Sequence, residues 1–338
     1  MAVYTTIDNP ELYFQTEIYT GNGTDGRTIT LSGSEDMQPN FVWIKNRGTT
    51  DNHHLFDSVR GVNKALSTST TNSESDAPSS GYVSGFVSDG FTVTSGSSAD
   101  DNVNKNTETY VSWNWKESAD AGMDLVSFTG NETARTISHS LSAVPKFMFI
   151  KNRDSGTSGW YNYHHKLNAT HAVHFNATDA SGSNSTIWND TAPTSSVFTV
   201  GTNSGVNGNS NNCIAYLFSE KQGFSKFGSY TGNGNADGPF IFCGFRPALV
   251  VTKKSSDTGD WIIYDNKRDP NNLVHGRILL NSNAVEYTAD SHGIDFLSNG
   301  FKIRTSDQSW NESGETFIYM AFAESPFVNS NGVPCNAR

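Results

Sequence analysis

Tyr110-Val-Ser-Trp-Asn-Trp-Lys-Glu117, Cys213-Ile-Ala-Tyr-Leu-Phe-Ser-Glu220 and Phe317-Ile-Tyr-Met-Ala-Phe-Ala-Glu324 are one stretch written three times, at offsets of 103 and 104 residues. In a strand, alternate residues share a face, so Val111, Trp113 and Trp115 point one way, with Ile214, Tyr216, Phe218 and Ile318, Met320, Phe322 as their counterparts. All nine are large and apolar, and we take this face as the core. The opposite face, Tyr110, Ser112, Asn114 and its counterparts Cys213, Ala215, Leu217 and Phe317, Tyr319, Ala321, is more mixed, as on a partly covered surface.

Three further landmarks recur in the same order. Gly-Asn turns stand at Tyr19-Thr-Gly-Asn-Gly-Thr-Asp-Gly26, Phe128-Thr-Gly-Asn131 and Tyr230-Thr-Gly-Asn-Gly-Asn-Ala-Asp-Gly238. Apolar runs follow at Pro39-Asn-Phe-Val-Trp-Ile-Lys-Asn-Arg47, Pro145-Lys-Phe-Met-Phe-Ile-Lys-Asn-Arg153 and Pro247-Ala-Leu-Val-Val-Thr-Lys-Lys254. These are apolar on both faces up to the lysine, the pattern of a central strand. The third landmark is Ser88-Asp-Gly-Phe-Thr-Val93, Ser196-Val-Phe-Thr-Val200 and Ser298-Asn-Gly-Phe-Lys-Ile303. Asp89-Gly90 and Asn299-Gly300 are hairpin turns, because positive φ is cheap there, so neighbouring strands should be antiparallel. A fixed period means one supersecondary unit read three times. The expected fold class is all-β, three tandem β-sandwich (jelly-roll or lectin-like) modules. The boundaries read are 1–18 for an N-terminal lead, 19–120, 121–222 and 223–328 for the modules, and 329–338 for a tail. Short linkers at 117–123 and 220–223 predict a stiff rod or wedge. The Ser/Thr/Asn-rich stretch 67–80 reads as the mobile surface loop.

Composition agrees. Of 338 residues, 35% are hydrophobic, only 17% charged and 12% aromatic, which is polar yet unlike a disordered chain. Lys+Arg 23 against Asp+Glu 34 gives −11, which disfavours nucleic acid as a partner. No apolar run reaches the roughly 20 residues of a membrane span and the first twenty residues carry no secretory pattern, so neither membrane insertion nor export by a signal of its own is expected. Cys213, Cys243 and Cys335 lack metal or disulfide spacing and fit folding in a reducing cytoplasm.

Asp57 and Arg60 recur as Asp265 and Arg268, with Tyr163 and Lys166 in the middle module by simple offset; an Asp three residues before an Arg reads as a local ion pair. Glu117, Glu220 and Glu324 read as three structural carboxylates rather than a glycosidase pair, which needs two acids at one site. His164, His165, His171 and His174 cluster, but a strand over 170–176 would send His171 and His174 to opposite faces, so they do not read as a metal site. The Gly-Asn loops read as turn chemistry rather than Ca²⁺ loops. No nucleophile elbow, zinc-protease motif or phosphate loop occurs. We therefore expect no enzyme, no catalytic residues, no cofactor and no metal. Most of Trp160, Tyr161, Tyr163, Trp188, Trp261 and Trp310 read as core, and Trp160, Tyr161, Trp188, Trp261 and Trp310 are the candidates for surface or glycan contact, on the ground that such rings stack on sugars.

Ile7-Asp-Asn-Pro-Glu-Leu-Tyr-Phe-Gln15, Gln38-Pro-Asn-Phe-Val-Trp-Ile-Lys-Asn-Arg47 with Phe56-Asp-Ser-Val-Arg-Gly61, and Ser229-Tyr-Thr-Gly-Asn-Gly234 through Phe317-Ile-Tyr-Met-Ala-Phe-Ala-Glu-Ser-Pro-Phe327 resemble a family of virion structural proteins of tailed bacteriophages, many from marine and cyanobacterial hosts. The resemblance covers nearly the whole chain, although the middle module lacks the Phe-Asp-Ser-Val-Arg block. It implies a tail-fibre-like structural protein with repeated lectin-like sandwiches and no catalytic residues. The expectation is a tail-associated appendage assembled in the host cytoplasm, packed on other virion proteins of tail or capsid, in contact with a host-surface glycan, and homo-oligomeric with a trimer favoured. The alternatives are a capsid decoration or head-fibre protein and a carbohydrate-binding or depolymerising module.

Overall fold

Each landmark strand takes the place its pattern requires. The computed structural model describes residues 4–97 and 103–336. Every ladder in it is antiparallel, and the fold is all-β with three short α-helical turns. The first third builds a sheet in the order Phe14–Thr20, Thr109–Trp115, Phe41–Asn46, His54–Asp57. In the second the order begins Met123–Thr129, Asn212–Ser219, Pro145–Asn152, Trp160–His164, and in the third Ser225–Thr231, Thr316–Pro326, Phe245–Lys254, Trp261–Asp265. The order is identical in all three thirds. The first strand starts at Phe14, so the end of the expected lead segment belongs to the first sheet.

The Phe41–Asn46 strand is central and wholly buried, as its two-sided apolar run requires. The Asp89-Gly90 and Asn299-Gly300 turns close the hairpins Tyr82–Val87/Gly90–Thr94 and Ile294–Leu297/Gly300–Ile303. A small sheet in each third, containing Gly90–Thr94, Val197–Val200 or Gly300–Ile303, accompanies the large one.

The face carrying Trp113 and Trp115 is buried, but its partner is not the one expected. In the first third, Val42, Ile44 and Tyr110 on the other face of the large sheet pack with Ile29, Phe91 and Val93 of the small sheet. In the second, Met148, Ile150, Ala215 and Leu217 pack with Phe198 and Val200. The face read as partly covered is therefore the sandwich interior. Val111, Trp113 and Trp115 instead join Ile214, Tyr216, Phe218, Ile318, Met320 and Phe322 in one cluster spanning the whole chain. Alternation tells which residues share a face; it does not say what covers that face.

The three counterparts Trp115, Phe218 and Phe322 touch one another, with ring centroids 6.3 Å (Trp115–Phe218), 5.5 Å (Trp115–Phe322) and 5.8 Å (Phe218–Phe322) apart. They mark a pseudo-threefold axis on which the large sheets converge. Phe149 and Tyr216 stack at 4.5 Å, and Phe41 lies 4.9 Å from Tyr216 across a boundary between thirds. The rod or wedge expected from the short linkers gives way to three sheets around one aromatic core. The linkers act as tight turns: Ser118 and Met123 exchange both backbone hydrogen bonds, and a bridge joins Lys221 to Ser225.

Candidate functional site

With the thirds aligned by sheet register, the polar candidates fall into three equivalent seams. Phe41, Phe147 and Leu249 sit opposite Trp115, Phe218 and Phe322 on one side, and opposite Asp57, His164 and Asp265 on the other. The middle counterpart of Asp57 is thus His164, one residue beyond the Tyr163 that a constant offset picks out, because the hairpin before Trp160 is one residue longer.

At the seam between first and second thirds, the Tyr216 hydroxyl donates to Asp57 Oδ2 at 2.6 Å, and Asp57 also holds the Arg60 guanidinium and backbone N–H. Asp57 and Arg60 side chains are wholly buried, and Arg60 continues to Glu74 at 3.0 Å, which pairs with Arg153 of the second third at 2.7 Å. At the seam between third and first, Trp113 Nε1 donates to Asp265 Oδ2 at 3.0 Å, Arg268 pairs with Asp265 at 2.6 Å and with Glu286 at 3.0 Å, and Glu286 reaches Arg47 at 2.5 Å. Arg268 also lies over the Trp113 ring at 5.9 Å. Burial alone would push both guanidiniums down, yet their acidic neighbours hold them above the ordinary value. The local ion pairs read from the sequence are here inter-unit latches.

The seam between second and third thirds has lost this network. His164 Nε2 donates to Tyr319 O at 3.2 Å, and the positions of Glu74 and Arg153 are held by Ser181 and Ser255, which keep only the backbone contact. That contact recurs at all three seams: Glu74 N to Arg153 O at 2.8 Å, Ser181 N to Ser255 O at 2.9 Å and Glu286 N to Arg47 O at 2.9 Å. Burial drives the His164 imidazole down to about 3, so it is neutral.

A fourth set is cyclic as well. Trp160 Nε1 donates to Ser67 O at 2.7 Å, Trp261 Nε1 to His174 O at 2.8 Å, and His53 Nε2, the counterpart of the two tryptophans, to Leu279 O at 2.9 Å. Lys45, Lys151 and Lys253, at which the two-sided apolar runs end, are buried and donate to backbone carbonyls: Lys151 reaches Thr71 O at 2.9 Å and Lys253 reaches Thr178 O at 3.0 Å, each across a seam. Burial lowers all three to about 8.

This arrangement decides the fate of each expected site residue. Trp160, Trp188, Trp261 and Trp310 are buried and present no ring face to a ligand; Tyr161 is half-buried with its ring 4.7 Å from His174. Large indoles are the natural filling for seams between sheets. The 67–80 stretch, expected to be mobile, supplies Ser67, Thr71 and Glu74 to the first seam. Among the described residues no group of three His, Cys, Asp or Glu is arranged to hold a metal, and His171 and His174 sit at the ends of a short strand. The cysteines are free, and burial pushes Cys213 up to about 12, far from thiolate chemistry. Glu117 accepts from Leu125 N at 3.2 Å and Glu220 from Phe227 N at 3.4 Å, so each holds the first strand of the next third. Burial and a hydrogen bond to Asp124 raise Glu117 to about 7. No helix among the described residues is long and apolar enough to cross a membrane.

One repeated residue escaped the sequence reading. Asn104, Asn207 and Asn311 are fully buried, and their amides pin the Gly-Asn loops: each Oδ1 accepts from Asn22, Asn131 or Asn233 N, and each Nδ2 donates back to the same loop. Their offsets of 103 and 104 equal those of the last strand, a signal present in the sequence.

Two surface cavities of 310 and 260 Å³ adjoin at the boundary of the second and third thirds and share Glu220 and Lys226. Another of 440 Å³ lies between Asp269, His275 and Asp290, where His275 stands 3.8 Å and 3.4 Å from the two carboxylates.

No curated protein matches the chain. A solved structure titled "Crystal Structure of the STIV MCP" aligns with 62% of this chain and 97% of its own at 12% identity and a TM-score of 0.23, a likeness too slight to bear an argument. A family model described as a domain of unknown function matches residues 9–326. That span takes in all three thirds, so the matched unit is the whole three-sided body, and the chain belongs to this family, DUF7483.

Proposed function

We propose that the chain is a non-enzymatic structural protein of a bacteriophage virion, assembled in the host cytoplasm and seated on the tail as a fibre- or adhesin-like appendage that packs on other virion proteins and touches the host surface. The observation that carries this reading is the use made of the buried charges. Asp57, Arg60, Asp265 and Arg268 are consumed in latching one third of the chain to the next. A body whose buried ion pairs are committed to its own seams is suited to bearing load. The sequence resemblance to tail-fibre-like proteins supplies the particle and the tail.

Antibody labelling of intact particles in the electron microscope tests the placement: label on the tail is expected, and particles without label would overturn the reading. Label on the head would favour a decoration protein, a second reading to which the internal threefold lends support, since three equivalent sheets about one axis suit a local threefold position of a shell. Shortening of host polysaccharide by the purified chain would overturn the non-enzymatic part. A homotrimer is retained in the proposal because weak contacts gain from multivalency on a particle; light scattering should give three times the chain mass, and a single chain mass would show that the internal threefold replaces it.

A further inference from the structure

The same surface position occurs at each of the three seams, and at one of them it has been rebuilt. Between third and first thirds it is lined by Ala248, Asn266, Lys267, Glu324, Gln15, Thr16 and neighbouring Glu11, and holds only 20 Å³. The register equivalents between first and second are Asn40, Ser58, Val59, Glu117, Asp124 and Leu125, with Glu117 bonded to Asp124. Between second and third they are Lys146, His165, Lys166, Glu220, Lys226 and Phe227 around 260 Å³. Charge inverts along with size. Three lysines against one carboxylate give the last position a formal +2 on a chain of −11, whereas at the equivalent surface position of the first seam the charged side chains are Glu117 and Asp124, and at the other Lys267 shares the position with Glu11 and Glu324.

The strand that borders the cavity differs as well. Gly228 stands where the other thirds have Glu17 and Val126, opposite Tyr319 where they have Ser112 and Ala215. The ring of Tyr319 occupies the room a Cβ at residue 228 would need, with the phenol oxygen 2.5 Å from that point. Lys226 pairs with Glu220 at 2.6 Å, while Lys146 and Lys166 have no ion-pair partner among the described residues. His165 is fixed by donating Nε2 to Phe227 O at 2.9 Å. Beyond the Glu220–Lys226 pair the 310 Å³ cavity continues to Tyr4, whose hydroxyl donates to Gly244 O, and to Phe242, a residue 54% exposed.

We propose that this groove, from Lys146 and Lys166 past Lys226 to Phe242, binds an acidic saccharide: the lysines take its carboxylate or sulfate, Glu220 and Ser229 its hydroxyls, and Phe242 stacks on a sugar face. A scaffold role explains the latches at the seams, but not a pocket opened and lined with lysine at one of them. The proposal extends the host-contact part of the function proposed above, and its failure would leave the placement of the chain on particles untouched.

Calorimetric titration of the full chain tests it, with a uronate-bearing tetrasaccharide, a sulfated one, a neutral one and sodium sulfate as probes. A dissociation constant on the order of 1 mM or tighter is expected for one or both acidic sugars, with none detected for the neutral sugar up to about 10 mM, and affinity should weaken as salt rises from about 50 to about 500 mM. The double variant Lys146→Ala/Lys166→Ala should lose about tenfold in affinity, and Phe242→Ala should weaken sugar but not sulfate binding. Lys267→Ala, at the equivalent position of another seam, should change nothing. All variants should keep the parent melting temperature, since these side chains reach solvent. Equal binding of the neutral sugar, equal loss in Lys267→Ala, sulfate binding that matches the sugars with no effect of Phe242→Ala, or no binding by a chain of native melting temperature would each overturn the proposal.

Discussion

Asp57 accepts from Arg60 and from Tyr216, a residue 159 positions away, and is wholly buried. Removing its charge leaves the buried Arg60 cation with Glu74 as its one carboxylate, so Asp57→Asn should cost about 3 kcal/mol, while Tyr216→Phe, which deletes one charge-assisted bond and leaves the ion pair, should cost about 1.5 kcal/mol; urea titrations of both would check the order, and an Asp57→Asn chain as stable as the parent would refute the latch. His164, in the equivalent position, gives a pH dependence instead. Burial holds its folded pKa near 3, below the ordinary 6.5. Below pH 6.5 the unfolded chain therefore takes up a proton that the folded chain refuses, and stability is lost as pH falls from 6.5 towards 3. Between pH 7.5 and 5 the parent should lose about 2 kcal/mol more than His164→Gln; equal losses in the two proteins would show that the imidazole is not buried.

Repetition made the elements legible. Strand positions, antiparallel hairpins and the two-sided central strands followed from alternation and Gly-containing turns, and the structure has them. The partner of the aromatic face did not follow, because two sheets of one sandwich and sheets of three neighbours demand the same apolar alternation. Nor did the seams: a one-residue insertion before Trp160 shifts the register, so a fixed offset names Tyr163 where the ladder places His164. The 67–80 stretch misled through composition. Ser and Thr there serve with their backbone carbonyls, accepting from Trp160 and Lys151, and carbonyls leave no mark on a sequence. Limited proteolysis should consequently spare 67–80 in the native chain, whereas Glu74→Ala, which frees both Arg60 and Arg153 of their shared carboxylate, should admit cleavage there. The buried amides belong to this scale too. Asn311→Ala strands several donors and acceptors of the 232–238 loop and should cost about 1–3 kcal/mol, read as a lowered melting temperature; an unchanged one would mean that the loop's own turns suffice.

For the whole molecule the consequence is that three repeated sandwiches do not amount to three independent domains. Each large sheet is a middle layer, covered outside by its own small sheet and inside by the other two thirds. Trp115, Phe218 and Phe322 meet at the axis, so truncating Phe322 to alanine should remove about 3–5 kcal/mol from the entire body rather than from its last third. Scanning calorimetry of the full chain and of Phe322→Ala measures this directly. One transition with calorimetric and van't Hoff enthalpies in a ratio near one, displaced as a unit by the substitution, is the predicted result; two or three resolved transitions, of which only one moves, would contradict a shared core.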